Sequence, residues 1–127
     1  MDALRLTTRY HGGSAIIVIT GSLDICGTHP LQDRLREVLR QLSDGDPAAR
    51  LVLDTSGITF IDAAGLGALI SVQNEARRHP IPLLLTAPSP ALHRVLELTK
   101  LGDHFTTLPT PDADLATAHP VRQLPQA

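Results

Sequence analysis

The stretch Leu51 to Gly67, LVLDTSGITFIDAAGLG, decides how the rest of the chain is read. Leu51-Val52-Leu53 is an apolar run of the kind that fills a buried strand, and Asp54-Thr55-Ser56-Gly57 comes next with polar residues and a glycine that stop one. The chain then re-enters the core, with Ile58, Phe60 and Ile61 expected to anchor the connection around Thr59. Asp62 is placed as a helix N-cap, because its carboxylate can accept from the free N–H groups of a first helical turn. Ala63 and Ala64 then take the first two helical positions. Small residues there, with Gly65 and Gly67 after them, leave the amides of the helix start accessible, and those amides with the helix dipole favour negative charge. The stretch therefore reads as a strand that delivers the chain to a helix N-terminus.

On the N-terminal side, Leu4 to Tyr10 alternates as a half-exposed strand would, and His11-Gly12-Gly13-Ser14 reads as a hairpin turn. Ala15 to Thr20, AIIVIT, is a continuous apolar run and reads as a central strand covered on both faces along most of its length. Gly21-Ser22-Leu23-Asp24 ends it. Leu31, Leu35, Val38, Leu39 and Leu42 recur at helical spacing and form one stripe. Asp33, Arg34, Arg36, Glu37 and Arg40 make the opposite, solvated face, with Asp33 and Arg36 spaced to pair. Pro30 suits the first turn, and Asp44-Gly45-Asp46-Pro47 breaks the helix.

On the C-terminal side, a second helix runs from Ala63 to about Arg78 with Leu66, Leu69, Ile70 and Ala76 facing inward, and His79-Pro80 stops it. Leu83-Leu84-Leu85 is another strand. Ser89-Pro90 is an N-cap with proline at the first helical position, where its missing N–H costs nothing. Leu92, Val95, Leu96 and Thr99 give the third helix its buried stripe, and Leu101-Gly102 closes it. Phe105 to Leu108 is a last short strand. From Pro109 the composition shifts to Pro, Asp, Ala and Thr, so residues 109–127 form a Pro-rich C-terminal segment, either a short helix over Asp112 to Ala118 or a frayed tail. One domain, residues 1–108, precedes it. Strand–helix–strand units imply parallel neighbours, the initial hairpin an antiparallel one, and the amphipathic helices need only one sheet face. The expected fold is α/β, a mixed sheet of about four to five strands with three to four helices on one face.

Composition narrows the function. The chain has 127 residues, 43% apolar and 19% charged, with a net charge of −2, which offers no field for nucleic acid. Tyr10, Phe60 and Phe105 are its aromatic residues, too few for a platform that stacks bases. Cys26 is the single cysteine, so there is no internal disulfide framework. No apolar run approaches the ~18 residues of a membrane helix, and MDALRLTTRY lacks the apolar core of a signal peptide, so the expected location is the cytoplasm.

Three motifs bear on chemistry. Gly65-Leu66-Gly67 lacks both the third glycine of a dinucleotide loop, where Ile70 stands, and the Gly-Lys-Ser/Thr of a phosphate loop. Cys26 and His29 form one C-x-x-H without a second pair, below the ligand count of a structural zinc. Asp24, Asp54 and Asp62 would suit acid/base work if they converged, yet caps and turns account for each separately. The expectation is no enzymatic activity, no cofactor and no metal.

At the central stretch the chain resembles the STAS domains, and among them the bacterial anti-sigma factor antagonists. Their signature D-x-S-G-[VI]-x-F-x-D-S-S-G-L-G stands here as Asp54-Thr55-Ser56-Gly57-Ile58-Thr59-Phe60-Ile61-Asp62-Ala63-Ala64-Gly65-Leu66-Gly67. The ending SPALHRVLELTKLGDHF, Ser89 to Phe105, is similar to the family's S-P-x-[VL]-x-R-x-L-x-x-x-G-L-x-x-x-F. The resemblance spans about Leu4 to Leu108. It implies binding to an anti-sigma factor that is also a serine kinase, which phosphorylates the second serine of the pair and so ends the contact. Here that position is Ala64, so the usual phospho-acceptor is absent. Thr55, Ser56 and Thr59 are the possible substitutes nearby, though turn-forming and packing roles account for them. By resemblance the partner surface comprises Asp24, Asp62, Ala63, Ala64 and Gly67; Asp24 also has a plain reading as the cap of its own turn. An alternative within the same resemblance is a STAS accessory subunit docked on the ATPase of a bacterial lipid or solute transporter. A neighbouring gene for a GHKL-type kinase points to the first, and a permease with an ATPase points to the second.

Overall fold

The computed structural model describes residues 3–42 and 46–108. β1 (Arg5–His11) turns back through Gly12 and Gly13 into β2 (Ser14–Leu23). Both glycines have positive φ, 54° and 85°, the backbone of a two-residue hairpin turn whose twist matches its strands. A 3₁₀ turn at Ile25–Gly27 leads into α1 (Thr28–Gln41), then β3 (Leu51–Ile61), α2 (Ala63–Ala76), β4 (Leu83–Thr86), α3 (Pro90–Thr99), a second 3₁₀ turn and β5 (Thr106–Leu108). The five strands form one sheet in the order β1-β2-β3-β4-β5, antiparallel between β1 and β2 and parallel elsewhere. This is the mixed sheet expected from the pattern. The short helix or frayed tail expected in 109–127 lies outside the described residues, as does the part of the helix break at residues 43–45.

One core lies between the sheet and the helices. Ala15, Ile17 and Ile19 of β2, Leu51 and Leu53 of β3 and Leu83 and Leu85 of β4 meet Leu31, Leu35, Val38 and Leu39 of α1, Leu66, Leu69, Val72 and Ala76 of α2, and Leu92 and Leu96 of α3. Each fully buried Leu or Ile contributes about 1.5–3 kcal/mol relative to exposure. The α1 stripe is the one its periodicity predicts. In α2, Val72 is buried while Ile70 is only half-buried, and in α3 Val95 is half-buried and Thr99 exposed, its hydroxyl donating to Val95 O at 2.7 Å.

Four local expectations are corrected. First, Asp54-Thr55-Ser56-Gly57 does not stop a strand, because β3 runs unbroken to Ile61. Its pairing with β2 shifts register twice, between Val18 and Thr20 and between Gly21 and Ser22, so β3 absorbs extra residues as bulges. The Asp54 carboxylate accepts from Ser56 N at 3.1 Å and from Ser56 Oγ at 2.8 Å, which takes that N–H out of the ladder. Gly57 fits because a Cβ there would lie 2.6 Å from the Thr20 methyl. Second, Phe60 does not anchor the connection; it is 37% exposed, while Ile58 and Ile61 are buried. Third, α3 is closed by Lys100 in the left-handed conformation, φ 59°, and Gly102 instead opens the second 3₁₀ turn. Fourth, Arg34 does not sit on a purely solvated face, since its Nη1 donates to Leu6 O at 3.2 Å and Thr8 Oγ1 at 2.9 Å and ties α1 to β1. The expected Asp33–Arg36 pair is present at 4.0 Å on the exposed side.

Candidate functional site

β2 and β3 end side by side, and each is succeeded by an aspartate. The last paired residues are Leu23 and Ile61, so Asp24 and Asp62 leave adjacent strands at the same level, with strand spacing of about 4.8 Å. Both have extended backbone, and each caps a helical segment. Asp62 Oδ1 accepts from Gly65 N at 2.9 Å and opens α2, as the sequence predicts. Asp24 Oδ1 accepts from Cys26 N at 3.0 Å and opens the first 3₁₀ turn. Its plain reading as a cap is thus correct, and its position beside Asp62 keeps it at the same surface.

The helix start is held close to the sheet by Gly65. A Cβ there would overlap the carbonyl oxygen of Leu23, with the carbonyl carbon at 2.8 Å and Ile61 Cγ1 at 3.0 Å. The α2 backbone therefore rests directly on the end of β2, which only a residue without a side chain allows. Outward from this contact, Ala63 is exposed, Ala64 half-buried and Gly67 exposed, and a Cβ at Gly67 would meet nothing within 4 Å. Asp24, Asp62, Ala63, Ala64 and Gly67 thus lie around one junction, with two apolar side chains beside them that the sequence did not assign: Ile25, 73% exposed, and Phe60, opposite Ser22 in the ladder. The adjacent apolar pair Phe60-Ile61, of which only one can face the core in a strand, was the signal for the second.

Two of the three aspartates, Asp24 and Asp62, follow adjacent strand ends here, and the third does not. Asp54 pairs with Val18, several ladder rungs back along the sheet, and its oxygen is taken up locally by Ser56. Among the described residues no three His, Cys, Asp or Glu side chains gather in one place, and Cys26 is exposed. The possible substitute acceptors separate as well. Thr55 is fully buried with its hydroxyl donating to Thr86 O at 3.0 Å, so a kinase could reach it only by opening the sheet. Ser56 and Thr59 are exposed on β3. What the junction offers chemically is a surface: two capping carboxylates, a bare helix start and flanking apolar side chains.

No helix among the described residues is long and apolar enough to cross a membrane. The fold is shared with solved structures. An anti-sigma factor antagonist from Mycobacterium paratuberculosis aligns with a TM-score of 0.75 at 23% identity, over 92% of this chain and 95% of that one. The anti-sigma factor antagonist SpoIIAA in its unphosphorylated form aligns with a TM-score of 0.70 at 16% identity, over 95% and 100%. A sulfate transporter family protein from Wolinella succinogenes aligns with a TM-score of 0.61 at 25% identity, over 87% and 88%. At the level of sequence, a family model described as "Mlab, STAS domain" matches residues 6–110, from within β1 to just past β5, and the chain belongs to the STAS domain family.

Proposed function

We propose that this chain is a non-enzymatic regulatory binding module, an anti-sigma factor antagonist-like STAS protein whose contact with a cytoplasmic anti-sigma factor of the serine kinase type is not switched at the usual phosphorylation position. By releasing the sigma factor from that partner it would regulate transcription through partner switching. The observation that supports the reading is the junction of Asp62, Ala63 and Ala64. Its backbone forms a capped, accessible helix start, while the two side chains there carry no hydroxyl. In the family's switch a phosphoserine adds about −1.5 to −2 charge, which Asp24 and Asp62 would repel. An alanine pair leaves the neutral, binding form permanently in place.

Ala64→Ser tests this. The change adds one oxygen at a first-turn position, so folding shifts by well under ~1 kcal/mol. The variant should become a substrate of the cognate kinase and its complex should weaken on adding ATP, while the natural protein stays bound. If the variant binds the kinase but is never phosphorylated, the docking geometry at the helix start has changed. If neither form binds an anti-sigma kinase of the source organism, the antagonist reading is wrong.

A second reading is favoured by the similarity to the Wolinella transporter-family protein, which extends over most of both chains. In it the same surface docks on a transporter ATPase as an accessory subunit. A pull-down from the source cell identified by mass spectrometry separates the two, with an anti-sigma kinase recovered in the first case and a permease with its ATPase in the second.

A further inference from the structure

Among the described strands β1 is outermost, and every second residue along it turns its backbone groups away from β2. The Gly12-Gly13 turn makes His11 and Ser14 a closing pair that exchanges both N–H···O bonds. Bonded and non-bonded pairs then alternate along the ladder. Arg9, Thr7 and Arg5 bond to Ile16, Val18 and Thr20, while Tyr10, Thr8 and Leu6 direct their N–H and C=O groups outward. The facing strand agrees, because Ala15, opposite Tyr10, gives its own N–H to Arg50 O at 2.9 Å on the far side. An outward row of this kind is a template for another strand, and among the described residues no strand takes it. What meets it is Arg34 of α1. Its Nη1 donates to Leu6 O, one of the outward carbonyls, at 3.2 Å and to Thr8 Oγ1 at 2.9 Å. Arg34 thus holds the acceptor that an incoming strand's N–H needs, and sets a guanidinium where that strand's backbone would lie.

We infer that Arg34 keeps the β1 edge closed to strand addition by a second copy of this chain, and that without Arg34 this edge is a dimer interface. The edge is complementary to itself. In antiparallel pairing centred on Thr8, Leu6 of one copy faces Tyr10 of the other and Thr8 faces its own counterpart, so outward groups meet outward groups in each pair. The side chains of that row suit the same register. Leu6 is half-buried against the core while Tyr10 is 54% exposed, and an aliphatic–aromatic pair and a Thr–Thr pair are both favourable across strands. Arg5 and Arg9, in the other row, carry charge of one sign and weaken the pairing, yet they cover no outward backbone group of β1. The closure therefore rests on Arg34.

The test compares the natural chain with Arg34→Met, which keeps the apolar stem without a donor, and with Thr8→Val, which removes one of the two acceptors of Nη1. Sedimentation velocity over a concentration series reads association, and amide exchange followed by NMR reads which backbone groups it covers. The natural chain should sediment as a monomer with rapidly exchanging Leu6, Thr8 and Tyr10 amides. Arg34→Met should self-associate about tenfold more tightly or better, with those amides slowed, and Thr8→Val should do the same more weakly. Adding Thr8→Pro to Arg34→Met should return the monomer, since proline there removes an outward N–H and no ladder bond. A natural chain already paired through β1, an Arg34→Met variant as monomeric as the natural chain, or a dimer that survives Thr8→Pro would each overturn the inference. Should Arg34→Met not fold, Thr8→Val carries the test alone, and its failure to associate beyond the natural chain overturns the inference equally.

Discussion

Gly65 and Gly67 stand two residues apart in the same helix and should respond to the same substitution with opposite sign. Alanine is favoured over glycine inside a helix by about 0.8–1 kcal/mol, a gain available at both positions. At Gly67 nothing opposes it, because the added methyl meets no atom within 4 Å. At Gly65 the methyl overlaps the Leu23 carbonyl oxygen, and both Leu23 and Ile61 belong to strand ends that cannot yield without parting β2 from β3. Overpacking of this kind costs typically 1–3 kcal/mol, and tilting α2 away would also strain the Asp62–Gly65 cap, worth about 0.5–2 kcal/mol. Gly65→Ala should therefore lose about 1–3 kcal/mol net and Gly67→Ala gain up to about 1. For a domain of this size, at about 4 °C per kcal/mol, that separates the two melting temperatures by roughly 4–16 °C. Urea unfolding of both variants beside the natural protein, with m values compared, is the assay. Gly65→Ala matching the natural protein, or proving more stable than Gly67→Ala, would refute the close contact between α2 and β2 on which the site rests.

Three further outcomes are expected. Ser14 donates to Ala48 O and accepts from Arg50 N, both at 3.0 Å, so Ser14→Ala leaves a backbone pair short of partners and should lower stability by about 1–3 kcal/mol in the same unfolding assay. Lys100 closes α3 at φ 59°, where a side chain costs roughly 1–2 kcal/mol that glycine's larger unfolded-state entropy offsets in part, so Lys100→Gly should raise the melting temperature slightly and never lower it by more than a degree or so. Ala64→Glu places a carboxylate in the first turn, where the dipole favours it by about 0.3–1 kcal/mol. It should therefore keep the fold and weaken the partner, and an unchanged affinity by calorimetry would move the interface elsewhere.

The features legible in the sequence are those whose cause lies within a few residues. Asp62 and Ser89 cap helices because the acceptor and the N–H groups it serves are three residues apart, and Ser89 Oγ indeed accepts from Leu92 N at 3.2 Å. The α1 stripe arises from a period that needs no knowledge of the sheet. What could not be read depends on the neighbour across a strand. Asp54-Thr55-Ser56-Gly57 has the composition of a turn, and becomes a bulged strand only because β2 pairs alongside and its Thr20 methyl fills the space above Gly57. Thr55 looks like a loop hydroxyl until β4 supplies Thr86 O as its acceptor. Lys100 occupies the place of the glycine in the family's ending, and nothing local announces that a lysine there will still turn left-handed.

At the junction itself, shape and chemistry are carried by different residues. The position of α2 is set by Gly65 against Leu23, by the Asp62 cap and by Leu66 and Leu69 in the core. None of these involves the side chains at 63 and 64, which lie outward from the sheet's end with Ala63 exposed and Ala64 half-buried. Exchanging hydroxyls for methyls there removes no hydrogen bond that the helix start needs, since its caps come from the aspartate and from backbone, and it improves helix propensity by a few tenths of a kcal/mol per residue. Alanine can therefore stand at both positions without any cost in stability, and the surface keeps the outline set by the backbone. For the same reason, restoring the hydroxyl at position 64 perturbs the fold little, so any difference in partner binding between the two forms reports on chemistry at the surface and not on a rearranged helix.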